Sequence, residues 1–357
     1  MDIKTFIIAA VIKIVLVVFI LLTGVAYTTL LERKLVARIQ NRWGPTRVGP
    51  FGLLQPLAVG IKFILKEDMV PDSVHKVLYI LAPMLALTMS LISIAVIPFG
   101  PSVTVKGTTT ALQITGVAHA NGALSDINIG LLIILGATSI GVYGVALAGW
   151  SSNSKYSLLG SLRASAQMVS YELALGLSLV GVLLLSGSLS LRQIVDAQGQ
   201  APWWGWLPHW YIFPQFLAFF IYLMAAYAET NRIPFDLPEA ETELVAGYHT
   251  EYSAMKFAMF FMAEYMNMIT VACLATLLFF GGWHGPVPQS APAMVQSLLP
   301  VFWFALKVFF FMFLYIWVRG TLPRFRYDQL MAFGWKFLLP LAIANIIITS
   351  FIVAWRA

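Results

Sequence analysis

Eight stretches of this 357-residue chain stay apolar for about twenty residues each, and that pattern decides most of what the chain can fold into. They run roughly over 6–30, 77–98, 128–150, 165–187, 212–230, 257–281, 299–319 and 333–355. Such a segment crosses the hydrocarbon core of a bilayer as an α-helix, because a helix satisfies its own backbone where no water can. Prolines and glycines punctuate the ends, as at Pro98-Phe99-Gly100 and Gly281-Gly282. Composition closes the alternative of a soluble fold: 59% of residues are hydrophobic and 11% charged, against about 25% charged in soluble domains. The sequence predicts an all-α, polytopic membrane protein of about eight transmembrane helices. It forms a single integral membrane domain over residues 1–357, with no internal repeat and no soluble domain. The first apolar run starts near Phe6 and is long enough to span, so no cleavable signal peptide is expected.

Basic residues set the orientation. Of 22 Lys and Arg, the loops and flanks after the first, third, fifth and seventh segments hold eight, two, two and four. The other loops and the termini hold four: Lys4, Lys106, Arg192 and Arg356. The positive-inside rule then puts the loops at about 32–76, 151–164, 231–256 and 320–332 in the cytoplasm and both termini outside. Two outer segments, the Thr-, Gly- and Ala-rich Pro101–Asp126 and the Pro-rich Gly282–Pro300, are expected to cover the outer face without regular structure. Trp203, Trp204 and Trp206 read as an interfacial anchor.

Several function classes drop out. The net charge of +6 sits in short loops between spans rather than on a soluble face, so no nucleic-acid partner is expected. One cysteine, Cys273, cannot hold an iron–sulfur cluster, which takes about four. The five histidines lack metal-site spacing, and the common nucleotide-binding glycine motifs are missing. Any redox carrier lies in a partner or in a dissolved ligand.

Three constellations remain. The first cytoplasmic loop opens Glu32-Arg33-Lys34, continues through Arg38, Arg42 and Arg47, and passes the breaker-rich stretch 44–52, with Phe51 inside it. Residues 53–67 then form an apolar segment carrying Lys62 and Lys66, too short to span and suited to an amphipathic helix in the interface plane. Such a helix is either a plain basic surface anchor or a lipid-level doorway for an amphiphilic ligand. The loop after the fifth segment gathers Glu229, Asp236, Glu239, Glu241 and Glu243. Asp236 and Glu239 have capping-box spacing, but Glu239 and Glu243 repel at four residues apart, and crowded carboxylates hold protons more tightly. Finally, Glu172, Glu264 and Lys307 fall within spans, where a charge costs roughly 2.5–3.5 kcal/mol on insertion scales. Such groups mark ion or proton paths; a neutral, hydrogen-bonded Glu172 and a snorkelling Glu229 are the plainer readings.

At these motifs the chain resembles subunit 1 of respiratory complex I, the H-type subunit of the bacterial enzymes. The stretches GPTRVGPFGLLQPLAVGIKFILKE, GWSSNSKYSLLGSLRASAQMVSYE, AETNRIPFDLPEAETELVAGYHTEYSAMKF and WVRGTLPRFRYDQLMAFGWKFLLP carry the resemblance, which covers nearly the whole chain. It implies a membrane subunit of a proton-pumping NADH:quinone oxidoreductase in the bacterial inner membrane, an enzyme subunit with no redox centre of its own. Quinone is the substrate, while FMN and iron–sulfur clusters belong to partner subunits. The implied partners are peripheral-arm iron–sulfur subunits on the cytoplasmic side, small and antiporter-like membrane subunits laterally, and lipid. Arg33, Arg38, Arg42, Phe51, Gln55 and Arg232 would bind quinone. Glu172, Glu229, Asp236, Glu239, Glu241, Glu243, Glu251 and Glu264 would form the proton path, with Tyr248 and His249 beside the acidic loop. Two residues depart from the family pattern: Val59 stands where an acid is usual, and Ala254 where glycine is usual. Segment 101–126 also looks longer than usual. The rival readings are the related membrane subunit of an energy-converting hydrogenase and a stand-alone ion transporter.

Overall fold

The computed structural model describes residues 3–101, 103–105, 108–110, 113, 117–118, 124–125, 127–199, 208–236, 245–286 and 292–356. Among them the chain is helical apart from turns and two local strand pairs. The helices are α1 (Ile3–Ile39), α2 (Gln55–Leu65), α3 (Lys76–Ala95), α4 (Gly130–Ser151), α5 (Lys155–Ser186), α6 (Leu191–Gln198), α7 (Phe216–Glu229), α8 (Ala254–Phe279), α9 (Ala293–Thr321), α10 (Tyr327–Phe333) and α11 (Leu339–Arg356). A π-turn over Gly334–Leu338 joins α10 to α11 into one rod. Seven of the apolar segments are helices long enough to cross a bilayer.

The eighth segment, expected over 212–230, is different. Its helix α7 has only 14 residues, about 21 Å against a hydrocarbon core of about 30 Å. Pro208 and Pro214 keep the approach irregular, and irregular backbone survives at membrane depth only where protein satisfies it. Gln198, at the end of α6, does this. Its side-chain oxygen accepts from the Tyr211 N–H at 3.2 Å and the Gly281 N–H at 3.0 Å, while its amide donates to the Leu277 carbonyl at 2.8 Å. The Ile212 N–H donates to the Phe279 carbonyl at 3.0 Å.

Other boundaries also differ from the expected ones. α1 has 37 residues, about 55 Å, so Glu32, Arg33, Lys34 and Arg38 ride on its last turns rather than in a loop. α5 starts at Lys155, which reduces the expected 151–164 loop to a tight turn at 152–154. In the outer segments, β1 (Val103–Val105) pairs antiparallel with β2 (Thr108–Thr110), and β3 (Val117–Ala118) with β4 (Leu124–Ser125). α9 already begins at Ala293 with Pro300 inside it, so both outer segments hold more structure than their breaker content implied. Trp203, Trp204 and Trp206 lie outside the described residues.

Hydrogen bonds between loops fix the alternating path. At the basic end the His75 N–H donates to the Ser151 carbonyl at 3.0 Å, and the Phe325 N–H to the Pro234 carbonyl at 3.1 Å. At the opposite end the Leu131 N–H donates to the Leu189 carbonyl at 3.4 Å. α5 is the central post, packed on α4, α7 and α11. In lipid, helices associate through close backbone approach, which small residues permit. Gly160 on α5 illustrates this: a Cβ there would sit 2.7 Å from the Gly247 Cα, in the turn Gly247–His249. α2 buries none of its residues, exposes Leu57, Ile61, Ile64 and Leu65, and touches α8 through Phe63 and Phe257, whose ring centroids are 6.3 Å apart. That is the interfacial helix the sequence predicts.

Two expectations follow. Gly160→Ala pushes a methyl group into backbone that cannot flex away, at a cost of about 1–3 kcal/mol; a lowered midpoint of thermal unfolding in detergent checks it, and an unchanged midpoint would sink it. His249, on the turn held by Gly160, is enclosed by Phe257, Phe260 and Phe261, and burial pushes its imidazole from 6.5 down to about 3. The unfolded chain then binds a proton that the folded one refuses, so the stability His249 contributes is whole above about 6.5 and is lost as the pH falls from there toward about 3. Hydrogen exchange over 247–252 should speed up across that window in the native protein and not in His249→Phe.

Candidate functional site

The most heavily charged buried spot lies where α1, α8 and α9 meet the turn after α7. Arg232 is 5% exposed, and its position in that turn aims the guanidinium at two acids. One Nη donates to both carboxylate oxygens of Glu32 at 3.0 Å, and Nε pairs with Glu264 at 2.5 Å. The Tyr265 hydroxyl donates to Glu32 at 2.6 Å, and the guanidinium lies 4.3 Å over the Tyr265 ring. Arg319, near the end of α9, forms a further ion pair with Glu32. Two cations and two anions thus cancel locally. Arginine suits the place because its planar fork meets carboxylates from several sides and it keeps its charge when dry. Removing one partner of such a group leaves an unpaired buried charge, which costs more than the pair gains.

A small polar cavity of about 40 Å³ opens beside this cluster. Its wall includes Glu229 and Asn231 after α7, Glu264 and Asn267 on α8, and Tyr248 from the following turn. That is room for water, with polar groups to hold it. Glu264 therefore faces both the Arg232 cluster and the cavity. Glu229, in the same cavity wall, lies near Thr138 of α4 and near Glu172. Glu172 takes a hydrogen bond from Ser139, the next residue on α4. It lies seventeen residues into α5, about 26 Å along the helix and near mid-length. The acids Glu264, Glu229 and Glu172 so form a line from the basic end toward the middle of the bundle.

The other predicted residues sort as follows. Arg33, Arg38 and Arg42 are exposed; Arg38 stacks 4.1 Å over Trp43, and Arg42 donates to the Gln40 side chain at 2.8 Å. Phe51 is 80% exposed, on a bend held by Lys34, whose ammonium donates to the Phe51 carbonyl. Gly52 closes that bend at φ 76°, and a Cβ there would strike the Pro45 carbonyl. Gln55 opens α2 half-buried. Arg232 differs from this exposed set, because its fork is committed to Glu32 and Glu264. Asp236 is buried and accepts from Arg324 at 3.3 Å, a partner that capping-box spacing does not foresee. Glu239, Glu241 and Glu243 lie outside the described residues. Glu251 is partly buried, and its backbone carbonyl accepts from the Tyr79 hydroxyl at 2.6 Å.

Glu32, Tyr265, Arg319, Arg324, Thr138 and Ser139 escape the sequence reading of the site. Only Glu32 leaves a usable signal, as an acid on an apolar helix that continues past it. Lys307 is an intramembrane charge whose surroundings are structural. Its ammonium donates to the carbonyls of Phe280, Gly282 and His284 at 2.7, 2.9 and 2.7 Å, closing the C-terminal end of α8. Lys256 pairs with Asp68 at 2.8 Å, and Thr270 bonds back to the Met266 carbonyl of its own helix. Among the described residues no three His, Cys, Asp or Glu side chains converge as a metal site.

A family model described as NADH dehydrogenase matches residues 12–350. The chain is similar to an H-type NADH-quinone oxidoreductase subunit, the second of Koribacter versatilis, with 73% identity over 99% of each chain. The first H-type subunit of Solibacter usitatus is 50% identical over 98% of each. The H-type subunit of Leptospira biflexa is 52% identical over 97% of this chain and 95% of its own. With nearly all of the bundle inside the matched range, the chain belongs to the NADH dehydrogenase family, among the H-type membrane subunits of NADH-quinone oxidoreductase.

Proposed function

We propose that this chain is the membrane subunit of a proton-pumping NADH:quinone oxidoreductase that walls the quinone chamber and couples quinone reduction to proton translocation. The observation that carries the coupling role is the line of acids from the Glu32–Arg232–Glu264 cluster, through a polar cavity, to Glu229 and Glu172. The basic end faces the cytoplasm of a bacterial inner membrane, with both termini periplasmic; the whole chain is one integral domain. Iron–sulfur subunits of a peripheral arm dock on that basic end and carry the flavin and cluster chemistry. Small and antiporter-like membrane subunits lie alongside, and lipid covers the rest. Quinone enters past α2 and meets Arg33, Arg38, Arg42, Phe51 and Gln55, with Arg232 behind them.

The coupling is electrostatic. Reducing quinone draws protons and places negative charge near the cluster. A charge there changes the proton affinity of Glu264, and through the cavity that of Glu229 and Glu172, which titrate as a group rather than singly. Arg232 holds the Glu264 side chain in place, and the apolar bundle keeps the field unscreened. Glu239, Glu241, Glu243, Asp236 and Glu251 belong to the same acidic set.

Two measurements test this. Glu229→Gln should assemble normally, yet pump fewer protons per quinone reduced in membrane vesicles; unchanged pumping at full quinone reduction would remove Glu229 from the path. Arg42→Ala removes a charged contact worth about 1.5–3 kcal/mol, so the quinone KM of the assembled enzyme should rise about tenfold or more. An unaltered KM would take Arg42 out of the doorway.

A further inference from the structure

α2 borders the quinone doorway proposed above, yet its own packing holds it only weakly. None of its residues is buried. Its inner face, with Gln55, Val59 and Phe63 four residues apart, is half-covered, and Phe63 meets Phe257 at a loose 6.3 Å between ring centroids. An element placed like this is positioned by its ends. At the near end the Lys34 ammonium of α1 holds the bend before α2 through the Phe51 carbonyl. At the far end the chain leaves Leu65 and crosses the start of α8. There Asp68 pairs with Lys256 at 2.8 Å, and the Met69 N–H donates to the Ser253 hydroxyl at 3.1 Å. Ser253, Lys256 and Phe257 span a single turn at the start of α8, so these three contacts grip one spot. Beyond them the chain is pinned again, with the Asn153 side chain donating to the Ser73 carbonyl at 3.2 Å.

The two partners of the ion pair are unequal. The Lys256 side chain is 13% exposed, and its ammonium lies 5.0 Å from the centre of the Tyr79 ring. Tyr79 is fully buried, stacks on Tyr252 at 4.2 Å and donates to the Glu251 carbonyl. Lys256 is therefore a fixed post. Asp68 is 46% exposed on a strap where Glu67, Met69 and Val70 are exposed too. A cation seated on a buried ring positions the exposed acid, not the reverse.

We propose that the Asp68–Lys256 pair is the clasp that sets where α2 lies against α8, and with it the gap through which quinone passes, a role that rests on quinone entering past α2. Both are positioning residues, since each acts through α2 and not on quinone. With the clasp closed, the inner face of α2 stays on Phe257. With it open, α2 slides in the plane of the bilayer surface, where its exposed Leu57, Ile61, Ile64 and Leu65 are equally well solvated by lipid in many positions. The held position is then occupied for a smaller fraction of the time, and the apparent affinity for quinone falls by that fraction. The chemistry inside the chamber is untouched, so the loss appears in KM and not in kcat.

The test uses the assembled enzyme in native membranes, with the quinone KM and kcat measured separately. Asp68→Asn and Lys256→Met should each raise the KM about threefold to fivefold, the reach of a partly exposed ion pair, at unchanged kcat. The double variant should do no more than either single change, because both break one pair. Asp68→Glu, which keeps the charge, should hold the KM near its unmodified value. Cys273 is the one cysteine of the chain and is buried, so a Val59→Cys variant can carry a bulky lipid-soluble maleimide on the inner face of α2. That label should raise the KM or block quinone reduction. A label that does so beside Asp68→Asn and Lys256→Met variants of unmodified KM overturns the clasp and leaves the doorway standing. Effects of the two single changes that add in the double variant, or a kcat that falls in step with the rise in KM, also overturn it. A label without effect on KM removes the doorway past α2, and the clasp with it.

Discussion

Burying one guanidinium, that of Arg232, organises the basic half of the molecule. A cation 5% exposed inside an apolar bundle must be matched, and its matches come from α1 through Glu32 and from α8 through Glu264. Glu32 in turn receives Tyr265 and Arg319, which brings α9 into the same knot. The turn after α7 is thereby fastened to three helices far apart in the chain. Its other contacts follow from that position: Gln167 of α5 donates to the Ala228 and Phe235 carbonyls at 2.9 and 2.8 Å. A group that is costly to bury alone becomes a geometric constraint once every partner must reach it.

The same need for partners explains which polar groups in the bundle look structural and which look functional. Lys307 and Gln198 are engaged by backbone carbonyls and amides left open by helix ends and by the irregular approach to α7. Gln215 is tied to Thr349 at 2.9 Å and to Asn345 at 3.0 Å, which pins α11 to the α7 entrance. These groups are satisfied by what lies immediately around them. Glu264, Glu229 and Glu172 differ because each touches something that can exchange or relay a proton: a cavity, a hydroxyl, or another acid.

The parts of this fold legible in the sequence are those set by the solvent. Apolar run lengths located the seven helices long enough to span among the described residues, since lipid offers the backbone no partner and a helix needs none. Boundaries were harder: α1 continues past Glu32 because a helix can leave the membrane without ending, and hydropathy marks the lipid rather than the helix. α7 was overestimated for the complementary reason, as Ile212 and Phe213 are apolar but not helical. The site was legible only in part. Glu172, Glu229 and Glu264 announced themselves as charges in apolar surroundings. Thr138 and Ser139 carried no such mark, being two hydroxyl residues on a helix where hydroxyls commonly bond back to their own turn.

The amino-acid sequence by itself determined that the chain is a polytopic membrane protein, which end is basic, and that certain acids must be accounted for inside. Those facts depend on composition within short windows, and a bilayer reads short windows. Tertiary structure alone decided that Glu32 joins Arg232 across 200 positions, that Lys307 caps a helix instead of lining a path, and that Ser139 of α4 meets Glu172 of α5. Those outcomes depend on how each helix is rotated and how far it slides against its neighbours. Rotation and register are settled by packing small residues and neutralising buried charge across the whole bundle at once.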